Sequence, residues 1–287
     1  MKTDFPNITI LGSGLLGGSL ALALSALENP PQTRLWARKR ETLEAAEKLG
    51  IANVTSDLRE AVSDADLVIL AVPVGAMAAL VGSSLEAGLP GSCLITDVGS
   101  VKRVPHRQIS PLLKGREIRF IGSHPMAGSE RNGLSAITGT LFHNAACLLT
   151  NDDNAPVAQA QALERFWKTI GCRTSWMSAS IHDELVARIS HLPHLLSASA
   201  ARVCLKDPSE GRFGGGGLRD TTRVAAGNPT MWAEIVIENR EALTGLLHET
   251  IADLREILAS LQSGNQEQAR QWLATAKQRR DPLNPPK

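Results

Sequence analysis

Residues 7–27 of this 287-residue chain read NITILGSGLLGGSLALALSAL. Residues 7–11 (NITIL) predict a short buried strand, and residues 19–27 predict a buried helix. Between them lies the sequence GSGLLG, whose glycines have the spacing G-x-G-x-x-G. A strand, a tight glycine turn and a helix in immediate succession indicate the first unit of a doubly wound α/β domain.

The same stretch contains twenty uncharged residues, 8–27, enough for a membrane span or the apolar part of a signal peptide. Four glycines interrupt it, and both Lys2 and Asp4 stand before it instead of a basic segment. We therefore predict no membrane contact and a cytoplasmic protein. The four cysteines are far apart, which favours reduced thiols over a disulfide scaffold.

Strand and helix patterns alternate along the first part of the chain. Such alternation predicts a parallel sheet with helices on both faces. The predicted strands after the first are 33–37, 66–73, 92–97, 119–122 and 145–150, and a polar-faced helix is predicted at 40–49. We interpret residues 1–178 as a Rossmann-type domain with a doubly wound sheet.

After residue 178 only helical spacing remains, so residues 179–287 are predicted to form an all-helical C-terminal domain. Leucine and isoleucine residues at 243–261 predict a long amphipathic helix, and a glycine-rich loop is expected at 212–218. The wide apolar stripe favours a homodimer through this domain. The alternative is that the stripe only covers the chain's own first domain.

The glycine motif is typical of dinucleotide binding. Gly12 allows the tight turn, Gly14 allows close approach of a pyrophosphate, and Gly17 allows the helix to pack against the strand. The alternative is a glycine turn with a purely structural role. The candidate cofactor-binding residues are Gly12, Ser13, Gly14, Leu15, Leu16, Gly17, Arg38, Lys39, Arg40, Val72 and Pro73.

Arg38, Lys39 and Arg40 indicate which dinucleotide binds. An NAD site usually has an acidic residue at the end of the second strand, but no carboxylate occurs here before Glu41. Three cations suit a 2′-phosphate, so we predict NADP, with NAD as the alternative. The cluster could also be a solvated basic start of a helix. The chain has 30 basic and 29 acidic residues, and this balance argues against a nucleic-acid partner.

Four further motifs follow in order: DVGSVK at 97–102, SHPMAGSE at 123–130, ISHLPH at 189–194 and GGGLRDTTR at 215–223. Together they resemble the prephenate and arogenate dehydrogenases of tyrosine biosynthesis, and the resemblance extends over nearly the whole chain. It implies oxidative decarboxylation of prephenate or arogenate, with hydride transfer to a nicotinamide and a small-molecule substrate. The choice between the two substrates stays open, with a slight preference for prephenate.

The resemblance also implies roles for individual residues. His124 would accept the proton of the substrate hydroxyl, and Ser100 would hydrogen-bond near that hydroxyl and orient His124. Arg223 would bind a substrate carboxylate, because its guanidinium can bind one bidentately. Further candidate substrate-binding residues are His194, Glu130 and Trp232.

Several alternatives to these roles remain. His191 could be a packing or hydrogen-bonding histidine, and Lys102 a catalytic lysine or, as we favour, a cation at a helix start. No third ligand accompanies His191 and His194, so no metal is predicted. Another β-hydroxyacid-type dehydrogenase would need a lysine in the helical domain, where only Lys206 lies nearby. A non-catalytic NADP sensor would be free to lose His124, which is present.

Overall fold

A computed structural model describes residues 3–127 and 136–283 of the chain. Its main feature is a six-stranded parallel sheet in the order β3-β2-β1-β4-β5-β6. The strands are β1 (Asn7–Leu11), β2 (Gln32–Trp36), β3 (Val54–Thr55), β4 (Leu67–Leu70), β5 (Leu94–Asp97) and β6 (Arg119–Phe120). The strand order reverses between β1 and β4, and ligands bind at such a point in open α/β sheets.

Helices cover both faces of the sheet, which confirms the predicted doubly wound architecture. They are α1 (Leu15–Ser25), α2 (Arg40–Lys48), α3 (Leu58–Val62), α4 (Val74–Glu86), α5 (Arg103–Leu113) and α6 (Val157–Thr169). All four residues of β4 are buried, as expected for a strand covered on both faces. Its alternate residues belong to two apolar clusters: Ile69 lies in one and Leu70 in the other.

The expectation of one strand at 119–122 was wrong. The chain leaves the main sheet after Phe120 and enters a second sheet formed by β7 (Gly122–Pro125), β8 (Ala146–Thr150) and β9 (Arg173–Trp176). The motif containing His124 therefore begins on a strand and not on a loop. Gly122 permits this crossing, because a Cβ there would overlap the side chains of Thr150 and Lys102.

The helices after β9 are α7 (Ala179–Val186), α8 (Leu192–Cys204), α9 (Gly216–Thr222) and α10 (Pro229–Glu238). A π-helical turn, Ala187–His191, joins α7 to α8, and 3-10 turns occur at Pro208–Phe213 and Arg223–Ala226. Two of the four consecutive glycines, Gly216 and Gly217, begin α9, so the expected loop at 212–218 is partly helical. Among the described residues, all regular structure after Trp176 is helical, as predicted.

By its internal contacts the chain divides into two compact units, Met1–Asn239 and Arg240–Lys287. The second unit contains α11 (Arg240–Ser263) and α12 (Gln266–Arg280). Helix α11 matches the predicted long amphipathic helix, and its residues Leu254, Leu258 and Leu261 are at least half exposed. The boundary between residues 178 and 179 stays a prediction. No helix in the described part of the chain is long and apolar enough to span a bilayer.

Candidate active site

The glycine turn between β1 and α1 has a geometry that suits a bound dinucleotide. Gly12 has a φ of 122°, and a Cβ on it would overlap the backbone carbonyl of Ala71. A Cβ on Gly17 would overlap the carbonyl oxygen of Gly12, so both positions exclude a side chain. Gly14, the N-cap of α1, has no atom within 4 Å of its would-be Cβ. This open space lies before a helix N-terminus, where backbone N–H groups bind phosphate oxygens. The glycine turn therefore fits the pyrophosphate of a dinucleotide.

Val72 and Pro73 follow β4 and line two cavities at once. One cavity, of about 410 Å³, is also lined by Leu16 and by residues 98–100, which include Ser100. The other, of about 390 Å³, is also lined by Arg38. A dinucleotide extends across the carboxyl ends of the strands at a switch point, so the two cavities suit its two ends.

The remaining predicted cofactor residues belong to the glycine turn and to the starts of α1 and α2. Ser13 is buried in the glycine turn, and Leu15 is the first residue of α1. Lys39 and Arg40 are exposed at the start of α2, and Arg40 Nε lies 3.4 Å from Glu44 Oε1. Arg38 is therefore the basic residue of this cluster that lines a cavity wall.

His124 lies on β7, is 7% exposed, and begins a row of three hydrogen-bonded side chains. Its Nδ1 lies 2.9 Å from His182 Nε2, and His182 Nδ1 lies 2.8 Å from Asp183 Oδ1. Asp183 accepts the backbone N–H groups of Lys102 at 2.7 Å and Arg103 at 3.0 Å, where α5 begins. The N-terminus of a helix thus holds the carboxylate that ends the row.

The hydrogen-bond partners determine where the protons lie in this row. An ionised Asp183 only accepts, so His182 carries its proton on Nδ1 and its Nε2 is an acceptor. His124 must then donate from Nδ1. His124 Nε2 is therefore left with a lone pair that can accept a proton.

Burial keeps both imidazoles of this row uncharged, and only an uncharged imidazole can accept a proton. It lowers the pKa of His124 well below 6.5, and the neighbouring His182 and Lys102 lower this pKa further. Burial also lowers the pKa of His182, against the opposing hydrogen bond to Asp183. Burial alone would raise the pKa of Asp183, but hydrogen bonds from His182 and backbone N–H groups hold it below its usual value. At neutral pH the row therefore contains two neutral imidazoles and one carboxylate.

A buried ion pair connects β7 to the loop that lines the larger cavity. Lys102 and Asp97 are fully buried, with Nζ 2.5 Å from Oδ2, and Lys102 also donates to the carbonyls of Gly99 and Val101. Asp97 Oδ1 accepts the N–H of Ser123, the residue before His124. All three ammonium protons of Lys102 are thus used within the protein, which favours a positioning role.

The helices after β9 contribute further candidate residues. The rings of His194 and Trp232 are stacked, with centroids 3.5 Å apart and planes inclined by 7°. His191 Nδ1 accepts a hydrogen bond from Asn239 Nδ2 at 3.0 Å. Arg223 is exposed at the start of a 3-10 turn. Glu130 lies outside the described residues.

His182 and Asp183 were missed by the sequence analysis. The helical spacing of Ile181, Leu185 and Ile189 predicts that these side chains are buried. In the structure Ile181 is 57% exposed, and the buried face of the helix carries His182 and Asp183. The sequence does contain one indication of these residues, because a histidine and an aspartate stand next to each other in a helix with an otherwise amphipathic pattern. No group of three or more metal-ligating side chains occurs in the described ranges 3–127 and 136–283.

A Rossmann-type sheet, a glycine turn and a buried proton acceptor define a nicotinamide-dependent oxidoreductase. Two family models match the chain: "Prephenate dehydrogenase, nucleotide-binding domain" at residues 20–176 and "Prephenate dehydrogenase, dimerization domain" at residues 178–275. The chain belongs to the prephenate dehydrogenase family. Its reaction is the NAD(P)-dependent oxidative decarboxylation that this family contributes to tyrosine biosynthesis.

Individual relatives agree with this assignment. A cyclohexadienyl dehydrogenase from Zymomonas mobilis is 35% identical over 267 residues, covering 91% of this chain and 90% of that protein. A prephenate dehydrogenase from Bacillus subtilis is 32% identical over 283 residues, covering 96% and 76%. The structure of A. aeolicus prephenate dehydrogenase with hydroxyphenyl propionate and NAD+ has a TM-score of 0.88, at 25% identity and with 99% and 100% of the two chains covered. The structure of Synechocystis arogenate dehydrogenase has a TM-score of 0.80 at 27% identity, with 97% and 100% covered.

Proposed function

We propose that the chain oxidises prephenate in preference to arogenate, with NADP as the hydride acceptor and His124 as the general base. The observation that carries the proposal is the His124–His182–Asp183 row, which leaves His124 Nε2 as a proton acceptor. Its strand is tied by Asp97 to the loop that lines the larger cavity. The A. aeolicus relative was determined with NAD+ and hydroxyphenyl propionate, which supports a nicotinamide cofactor and a small-molecule substrate.

The row suits the chemistry of the substrate. A bound nicotinamide would supply the acceptor for the hydride of the carbinol carbon. His124 takes the hydroxyl proton at Nε2. The positive charge that develops on His124 is stabilised through His182 by the buried carboxylate of Asp183. The resulting dienone loses CO2, and formation of the aromatic ring drives this step.

The other candidate residues have proposed roles in orienting the substrate. Ser100, on the wall of the larger cavity, donates a hydrogen bond near the reacting hydroxyl. Arg223 binds one substrate carboxylate, and the stacked His194 and Trp232 line the substrate pocket. Glu130 is proposed as a pocket residue on the family motif alone.

Steady-state rates of the wild type test the proposed function. The absorbance of the reduced cofactor, NADPH or NADH, is measured with prephenate and with arogenate, each in the presence of NADP or NAD. We expect the highest kcat/KM for prephenate with NADP. A higher value with arogenate or with NAD would contradict that part of the proposal, and no turnover with either substrate would contradict the proposal as a whole.

Replacement of Arg38 by Ala tests the cofactor preference. Loss of a charged hydrogen bond to the 2′-phosphate is expected to raise KM for NADP roughly ten- to hundredfold, because such bonds contribute about 1.5–3 kcal/mol. KM for NAD should change little, since NAD has no 2′-phosphate. Arg270→Ala, which removes an exposed arginine paired with Glu267, is the control and should leave both values unchanged. Equal losses for both cofactors would argue against a 2′-phosphate contact.

Replacement of Arg223 by Ala tests the carboxylate contact. We expect KM for prephenate to rise roughly ten- to hundredfold with little change in kcat, if the contact is equally strong in the ground and transition states. Arg223→Lys should recover only part of the loss, because an ammonium group lacks the bidentate geometry. An unchanged KM for prephenate would contradict this role, whatever the melting temperature shows.

We also propose a homodimer formed through the helical C-terminal region. Helix α11 exposes Leu254, Leu258 and Leu261, and the family model that matches residues 178–275 is described as a dimerization domain. Exposed apolar faces of this kind mark interfaces. A molar mass near 30.6 kDa by light scattering would show a monomer and contradict the proposal.

A further inference from the structure

His191 is a buried histidine that the proposed proton transfer does not use. It is 1% exposed and ends the π-helical turn between α7 and α8, a feature frequent at functional sites. Its Nδ1 lies 3.0 Å from Asn239 Nδ2, and the same Nδ2 lies 2.8 Å from the carbonyl oxygen of Asp183. Asn239 therefore connects His191 to the residue that anchors the catalytic row.

These contacts fix the position of the proton on His191. The carbonyl of Asp183 can only accept, so the atom of Asn239 that faces it is the amide nitrogen. That nitrogen also donates to His191 Nδ1, and the ring proton must then be on Nε2. Burial lowers the pKa of His191 to about 4, so at neutral pH the ring is an uncharged Nε2–H donor.

This donor has no acceptor among residues 3–127 and 136–283, although Nε2 is fully buried. A buried donor without an acceptor destabilises a protein, and such a group in a native structure requires an explanation. His191 lies beside two residues that are proposed above to line the substrate pocket. Its ring packs edge-to-face on Trp232 with centroids 6.1 Å apart, and Trp232 stacks on His194.

We propose that His191 Nε2–H donates a hydrogen bond to a carboxylate oxygen of the bound substrate. The inference rests on the proposed function, since prephenate and arogenate each carry a ring carboxylate and a side-chain carboxylate. Arg223 accounts for one of them. An uncharged donor is well suited to the ring carboxylate, because that charge disappears with CO2 and a cation there would stabilise the ground state more than the transition state.

The variant pair His191→Asn and His191→Gln tests the proposal. In His191→Asn the side-chain oxygen can replace Nδ1 and accept from Asn239, but no donor remains near the position of Nε2. His191→Gln retains an N–H donor near that position. We expect His191→Asn to raise KM for prephenate about ten- to hundredfold with KM for NADP unchanged, and His191→Gln to recover most of this loss.

A product-like ligand identifies the carboxylate. 4-Hydroxyphenylpyruvate retains the side-chain carboxylate and lacks the ring carboxylate, so its inhibition constant is measured with wild type and His191→Asn. An unchanged inhibition constant together with a raised KM for prephenate assigns the bond to the ring carboxylate. A rise of the same size in both assigns it to the side-chain carboxylate, and either result supports the proposal.

Thermal stability separates substrate binding from a role inside the protein. Because Nε2 has no acceptor among the described residues of the ligand-free protein, we expect His191→Asn to melt at about the same temperature as His191→Gln, which keeps a donor at that position. A lower melting temperature with an unchanged KM for prephenate would place the partner of Nε2 within the protein and overturn the proposal. Failure of the proposed function would instead appear in the wild type, which would oxidise neither substrate.

Discussion

Replacement of His124 by Asn is expected to lower kcat about a hundred- to ten-thousandfold, the usual contribution of a positioned general base. Asparagine can still donate to His182 Nε2, so the packing of the row is preserved. Its amide oxygen does not become protonated at accessible pH, so the proton of the substrate hydroxyl has no basic acceptor. NADP binding, measured by fluorescence titration, should be nearly unchanged.

The pH profile gives this prediction a second readout. Burial holds the pKa of His124 well below 6.5, and only the unprotonated ring can accept a proton. In the wild type, kcat/KM should therefore be constant down through pH 6.5 and fall at lower pH, as His124 becomes protonated. The Asn variant should lose this acidic limb. Turnover near the wild-type value in the Asn variant would show that a different group accepts the proton.

Replacement of Asp183 by Asn is expected to lower kcat about a hundredfold or more, although Asp183 would not touch the substrate. The change removes the negative charge that stabilises the protonated His124–His182 pair. An amide also offers only one oxygen to the donors that now share the carboxylate, including the N–H groups of Lys102 and Arg103. One donor must then face the NH2 group or His182 must change tautomer, which would place a proton on His124 Nε2.

Asp152→Asn is the matched control for this variant. Like Asp183, Asp152 accepts a backbone N–H where a helix begins: its partner is Ala179, the first residue of α7, at 2.9 Å. Asp152 does not hydrogen-bond to His182. Both variants should lower the melting temperature. Only Asp183→Asn should lower kcat and shift the acidic limb of kcat/KM to lower pH, because the protonated pair loses its carboxylate. A kcat for Asp183→Asn no lower than that of Asp152→Asn would refute the positioning role.

Local patterns predicted the parts of the fold that depend on neighbouring residues. Both ends of the strand Asn7–Leu11 were predicted correctly. Its C-terminal end follows from Gly12, where the backbone has a positive φ that favours glycine. The long helix α11 followed from the spacing of its leucines. The resemblance, carried by four short motifs, identified the family, which the comparisons confirm.

Patterns of neighbouring residues did not predict where the chain changes sheet. Residues 119–122 look like one apolar strand, yet Phe120 ends β6 and Gly122 begins β7. The break depends on the side chains of Lys102 and Thr150, which occupy the space beside Gly122. Lys102 and Thr150 are distant from Gly122 in sequence, so the pattern of residues 119–122 cannot indicate their effect.

His124 was named as the candidate base through the family resemblance, which rests on four motifs taken together, one of them containing His124. The groups that hydrogen-bond to His124 and fix its proton on Nδ1 were decided by tertiary structure alone. His182 lies 58 residues away, and the N–H groups that hold Asp183 lie about 80 residues from it. Helical periodicity assigns buried positions to apolar side chains, whereas here a histidine and an aspartate are buried because each is hydrogen-bonded by distant parts of the chain. Sequence determines which residues can do the chemistry; only the folded contacts determine which nitrogen carries the proton.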